Sequence, residues 1–155
     1  MRQWLDKWLE YILAGLMIVM ALDVLWGIFT RYIIGAQSSF TEELSRFLLI
    51  WISILGAAYA SGKKLHLAIE LLPQALSQDA RVTLNRIISI LIMFFVLAAL
   101  VIGGIRYVYI TFTLGQISPA LQIPMGFIYL VIPISGICIL IYKFLDWKSS
   151  HDGGN

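Results

Sequence analysis

The chain alternates between four long apolar stretches and three polar interruptions of unequal length. The first stretch runs from about Trp8 to Ile34 and contains Asp23 and Arg31. The second covers about Glu43 to Gly62. The third covers about Ile87 to Thr113, with Arg106 in its second half, and the fourth about Pro124 to Leu145. A helix rises about 1.5 Å per residue, so about 20 apolar residues cross a hydrocarbon core about 30 Å thick. All four stretches are long enough. Hydrocarbon leaves unpaired backbone groups unsatisfied, so these stretches should be helices. The alternating segments of about 10 residues that mark membrane strands are absent. The pattern predicts an all-α integral membrane protein: one four-helix domain over residues 1–148, followed by a disordered tail at 149–155.

The interruptions differ in kind. Gly35 to Thr41 is short and polar, and Ser39-Phe40-Thr41-Glu42 has the spacing of a capping box with Ser39 as N-cap. Lys63 to Arg86 is the longest connection. Within it Leu65, Leu67, Ile69, Leu71, Leu72, Ala75 and Leu76 could share one face, which predicts an amphipathic helix over about 65–80 lying on the membrane surface. Pro73 should kink it or start a second helix. Leu114 to Ile123 carries no charge, and Pro124 suits the first turn of the last helix.

Composition narrows the function classes. Hydrophobic residues make up 60% of the 155 residues and charged residues 13%, against about 25% charged in soluble domains. Four spans leave no room for a catalytic domain outside the membrane, so no enzyme activity and no catalytic residues are expected. The net charge of +2 is spread thinly and does not suggest nucleic acid. The lone cysteine, Cys138, excludes membrane thiol oxidoreductases, which need a redox pair. The first apolar run is longer than a signal-peptide core, so it is expected to be a retained helix.

The basic residues orient the chain. Eight of the eleven lie on one side: Arg2, Lys7, Lys63, Lys64, Arg81, Arg86, Lys143 and Lys148. Arg31, Arg46 and Arg106 fall on the other, at or within helix ends. Both termini and the long connection should then be cytoplasmic. Trp4, Trp8 and Trp147 suit the inner interface, Tyr32 and Tyr109 the outer one.

Few residues could carry chemistry. Asp23 is an intramembrane carboxylate, which costs about 2.5–3.5 kcal/mol to insert. It is either a proton or cation site or a group bonded to a neighbouring helix or partner. Arg31, Glu42, Glu43 and Arg46 bracket the first outer turn, with Glu42 and Glu43 four and three residues before Arg46. They read as a structural clasp or partner interface, ahead of substrate binding. Gly56, Ala57 and Ala60 form a small-residue packing seam, with a second notch at Gly103 and Gly104. His66 and Glu70, four apart beside Ile69 and Leu72, belong to the interfacial helix. Two such groups are too few for a metal, which wants about four ligands, so no metal is expected.

One ordered set of motifs resembles a known family. Arg31 is followed by Ser39-Phe40-Thr41-Glu42-Glu43-Leu44-Ser45-Arg46, Trp51, Gly56-Ala57-Ala58 and His66-Leu67-Ala68-Ile69-Glu70. Ser118-Pro119-Ala120-Leu121-Gln122-Ile123-Pro124, Tyr129, Pro133 and Gly136 follow. From about Trp8 to Leu145 this is similar to the small membrane subunit of tripartite ATP-independent periplasmic (TRAP) transporters. Glu70 stands where the family pattern leads one to expect an aspartate, and Asp23 is outside that pattern. The resemblance implies a bacterial inner-membrane scaffold paired with a large multi-helix subunit. The large subunit would carry the substrate and sodium sites and move as an elevator. A periplasmic binding protein would deliver an organic acid such as sialic acid or a C4-dicarboxylate. This chain would then hold no cofactor and no substrate site, and its other contacts would be lipids. The alternative is a self-sufficient dimeric four-helix exporter coupled to protons through Asp23. Its usual members are shorter and lack the long central connection.

Overall fold

The computed structural model describes residues 2–35, 38–63 and 78–152. The described chain is helical apart from short turns and one isolated bridge, Ile117 to Pro124. Helix α1 (Arg2–Phe29) ends in a π-helical turn, Thr30–Ile34. Helix α2 covers Ser39–Gly62. Helix α3 (Gln78–Phe95), a π-helical stretch (Val96–Gly103) and α4 (Gly104–Thr113) follow one another without a break. Helix α5 (Met125–Tyr129) and α6 (Val131–Asp152) are separated at Leu130. Pro133 lacks the N–H that would bond the Tyr129 carbonyl, which accounts for a break there. Four segments are long and apolar enough to cross a membrane: Arg2–Ile33, Ser39–Gly62, Ile87–Thr113 and Met125–Asp146.

The spans stand in a row. The first packs on the second, the second on the fourth, and the fourth on the third. Burial follows that order: 6% of the first span and 11% of the third are buried, against 28% of the second and 39% of the fourth. The two helical hairpins therefore meet through their second arms, α2 and α6, which run parallel. Both termini and the start of the long connection share one end, the terminal end. Gly35, Ser38 and the turn at 114–124 mark the other, the turn end.

Periodicity explains the first contact. From Leu9 onward the shielded positions of the first span are Leu9, Leu13, Leu16, Met20, Asp23, Gly27 and Thr30, alternating in steps of four and three. That is the seam of a two-helix coiled coil. Around Leu9, Leu55, Val131 and Tyr142 the two hairpins share a core. A Cβ on Gly62 would stand 2.5 Å from the Tyr142 ring, so only glycine permits this approach.

Several boundaries differ from those the sequence predicts. The first helix begins at Arg2, because Trp4 and Leu5 continue its apolar pattern. Helix α6 reaches Asp152, into the segment that composition marks as tail. The cap of α2 falls one residue earlier than the capping-box spacing predicts. Ser38, not Ser39, is the N-cap of α2, and its side chain makes no cap bond. Thr41 instead donates through both its N–H (3.2 Å) and its hydroxyl (2.8 Å) to the Ser38 carbonyl. Pro124 is the N-cap of α5 rather than part of its first turn. The interfacial helix, with His66, Ile69, Glu70 and Leu72, lies outside the described residues up to 77. Helix α3 has begun by Gln78.

Candidate functional site

A row of helices encloses no path, so the polar groups of interest are those that hold the row together. The turn between α4 and α5 is the most ordered of them. Helix α4 ends in a Schellman closure: Gly115 N–H donates to Phe112 O and Gln116 N–H to Thr111 O. Gly115 has φ +60°, where other residues are strained. The Ile117–Pro124 bridge then pinches a small loop, inside which Gln122 N–H donates to Ser118 O at 3.0 Å. Ser118 is fully buried.

Glu43 docks this loop onto α2. One of its oxygens, Oε2, accepts from the N–H groups of Ala120 and Leu121, at 2.8 Å each. Leu121 N–H also reaches Ser118 Oγ at 3.3 Å. The carboxylate is 8% exposed and sits in the second turn of α2, where the helix dipole favours a negative group. Further along, the Trp51 indole N–H donates to Ile128 O at 3.0 Å. Two motifs far apart in sequence, Ser39–Arg46 and Ser118–Pro124, are thus joined by one side chain.

Asp23 lies in the α1–α2 seam, 7% exposed, and accepts from the Ser45 hydroxyl at 2.5 Å. One turn nearer the turn end, a Cβ on Gly27 would stand 3.3 Å from Thr41 Oγ1. Arg31 and Arg46 are exposed. Among the described residues no salt bridge joins either of them to Glu42 or Glu43. Glu43 is engaged by the loop instead. Close approaches fall at Gly62, at Gly126 against the Phe112 ring, at Gly136, whose Cβ would stand 2.9 Å from Leu100, and, between α4 and α6, at Gly104, whose Cβ would stand 3.0 Å from Pro133. Along the Gly56, Ala57 and Ala60 stripe, a Cβ on Gly56 meets nothing within 4 Å, Ala57 is exposed, and Gly56 and Ala60 are half-buried. Among the described residues no three His, Cys, Asp or Glu side chains converge as metal ligands would.

The terminal end carries a second polar joint. Arg2 pairs with Asp146 at 2.6 Å and also donates to Gly62 O, closing the end of α2. The Tyr142 hydroxyl, on a residue only 1% exposed, donates to Asp6 at 2.6 Å. Lys63 lies 3.6 Å from the other Asp6 oxygen and 5.3 Å from the Tyr59 ring centroid. Tyr59 and Asp6 raise the Lys63 ammonium above its ordinary value.

This geometry is a membrane row pinned at both ends. The family model for the DctQ component of tripartite ATP-independent periplasmic transporters matches residues 20–148. The chain belongs to that family. A protein of Haemophilus influenzae named as a TRAP transporter small permease is 27% identical over 135 residues, covering 87% of this chain and 82% of its own length. The ectoine TRAP transporter small permease protein TeaB of Halomonas elongata is 32% identical over 130 residues, 81% of this chain and 65% of that protein. The isethionate TRAP transporter permease protein DctMQ of Oleidesulfovibrio alaskensis is 30% identical over 141 residues, 85% of this chain but 22% of that protein. DctQ is a family of transporter subunits, not of enzymes, and with four candidate spans this member is a multi-pass membrane protein. The DctQ match takes in Asp23, Ser45, Glu43 and the 114–124 loop, and begins after Arg2 and Asp6.

Sequence reasoning missed most partners in these joints. The donors to Glu43 are backbone groups in a charge-free loop, so residue type could not reveal them. Asp6, Tyr142 and Asp146 look like ordinary interfacial residues. Their one legible signal is that acidic and basic residues cluster at the same ends of three spans.

Proposed function

We propose that this chain is the non-transporting scaffold subunit of a TRAP transporter. It would support a large membrane subunit in sodium-coupled, binding-protein-dependent import of an organic acid of the sialic acid or C4-dicarboxylate class. It would sit in a bacterial inner membrane with both termini cytoplasmic, and the segment around His66 to Leu72 would lie on the inner leaflet as an interfacial helix. A periplasmic binding protein would reach it through the assembled complex.

One observation carries this reading. The four spans form a single row, and its two shielded carboxylates within the spans, Asp23 and Glu43, each join one element to the next rather than line a path. An elevator needs such a static partner to move against. Two points add support. The match to 22% of DctMQ shows the same kind of stretch inside a permease several times longer. Relatives named for ectoine and isethionate resemble this chain about equally, which fits a subunit that does not select the solute. The exporter alternative would need Asp23 to face an open route, whereas it is buried against Ser45.

The test is uptake in proteoliposomes holding the large subunit with or without this chain. The scaffold reading expects uptake only from the pair. Full uptake by the large subunit alone would refute it, and so would proton-coupled efflux by this chain alone that Asp23→Asn abolishes.

A further inference from the structure

The row has two edges, and they differ in one respect that the bilayer would register. The first span's outer side is apolar through its middle, with Met17, Ile18, Leu22, Leu25 and Trp26 exposed, and its exposed charges Lys7, Glu10 and Arg31 lie toward its two ends. Lipid chains can cover it at no cost. The third span's outer side includes Arg106.

In α4 the residues turned toward the rest of the chain are Gly104, Val108 and Thr111. At 3.6 residues per turn, Arg106 points the opposite way, between Ile102 and Tyr109. Ile102 is 60% exposed and Tyr109 70%. Arg106 is exposed too, and among the described residues no salt bridge reaches it. It stands seven residues, about 10 Å, before Thr113, the end of the span. Charged residues inside a span almost always face protein or a polar cavity and take a partner there. This one faces away from the described helices that pack against its own.

We infer that the outer edge of the third span is the surface that docks the large membrane subunit, and that a carboxylate of that subunit meets Arg106 inside the membrane. The inference rests on the scaffold reading above and specifies its partner surface. Charge complementarity selects this edge over the other by depth: Arg106 lies seven residues inside its span, whereas the exposed Arg31 of the first span stands two residues from the end of its own, within reach of water, and Arg46 lies on the second span near Glu43. Guanidinium and carboxylate fit as a planar, two-bonded pair, which also sets the depth at which the two proteins meet. The flanking Ile102, Ile105 and Ile110 would pack as its dry surround.

The test uses the intact complex in native membranes. A photo-crosslinking residue replaces Ile102 or Tyr109 on this edge, or Leu22 on the opposite edge. Crosslinks to the large subunit are expected from the first two positions and not from Leu22. In parallel, Arg106→Glu and Arg106→Leu should each lower the amount of large subunit that co-purifies, by about tenfold or more for Glu, with the level of this chain in the membrane unchanged. Arg106→Lys should lower it less. Lipid adducts alone at Ile102 and Tyr109, with co-purification intact in Arg106→Leu, would show the arginine reaching lipid phosphates and overturn the inference. Crosslinks from Leu22 alone would also overturn it, by moving the docking surface to the other edge while leaving the scaffold reading in place. If no membrane subunit co-purifies with the unaltered chain, both fall.

Discussion

Asp23 and Glu43 are both shielded carboxylates near the turn end, yet they do different work. Asp23 joins two helices that a short turn already holds together, and it has one hydroxyl donor in the bond to Ser45. Glu43 joins two hairpins that are otherwise linked through the long 64–77 connection, and it satisfies two backbone N–H groups. A contact that closes a long loop must offset more chain entropy. Its loss also strands donors that cannot turn to another acceptor. The cost of removing a buried acid therefore depends on what it leaves unsatisfied.

Glu43→Ala strains this contrast the most. Of the substitutions at the joints it should give the largest loss of thermal stability, measured on the purified protein in mild detergent. Amide exchange at Ala120 and Leu121 should quicken roughly tenfold or more, because an unmade buried hydrogen bond is costly. Glu43→Gln keeps an acceptor oxygen and should show a smaller shift in both readings. Equal melting for Glu43→Ala and Asp23→Leu would erase the distinction between the two acids.

Tyr142→Phe removes the hydroxyl that reaches Asp6 and weakens the other joint between hairpins. A loss of about 1–2 kcal/mol is expected by chemical denaturation, since the bond is to a charged acceptor. Trp51→Phe deletes one bond to a neutral carbonyl and should cost about 1 kcal/mol. Combined with Glu43→Ala it should be non-additive, because both hold α2 to the same hairpin. Asp23→Leu should have the smallest effect, under about 1 kcal/mol, because Ser45 can turn to its own helix carbonyl at Thr41. Asp23→Leu with Ser45→Ala should be close to neutral, and a large loss in that pair would place Asp23 beside Glu43 in importance.

Much of the fold was legible because hydropathy reports directly on the bilayer. Each of the four apolar stretches read from the sequence coincides with a helix long and apolar enough to cross a membrane. The ends were less legible, since interfacial residues such as Trp4 and Asp152 suit helix or coil equally. The row order was not legible at all. It depends on which small residue meets which ring, as at Gly62 and Tyr142, and no single-helix pattern encodes that. At the candidate site, sequence grouped Glu43 with Arg31 and Arg46 because charges attract. Its bonds are to Ala120 and Leu121, which carry no polar side chain. Asp23 stood out as a carboxylate inside an apolar run, but its partner Ser45 was one of several serines.

The first span has a further consequence through its length. Its 32 residues make a rod of about 48 Å, against a hydrocarbon core of about 30 Å. Such a rod must lean, stand proud of the surface, or thicken the lipid around it. It is fastened to α2 near both ends, by Asp23 to Ser45 and by Asp6 to Lys63. It cannot lean alone, so any tilt it takes is taken by the row as one plate. Bilayer thickness then becomes a load on the whole plate, and a thinner membrane would tip all four helices together.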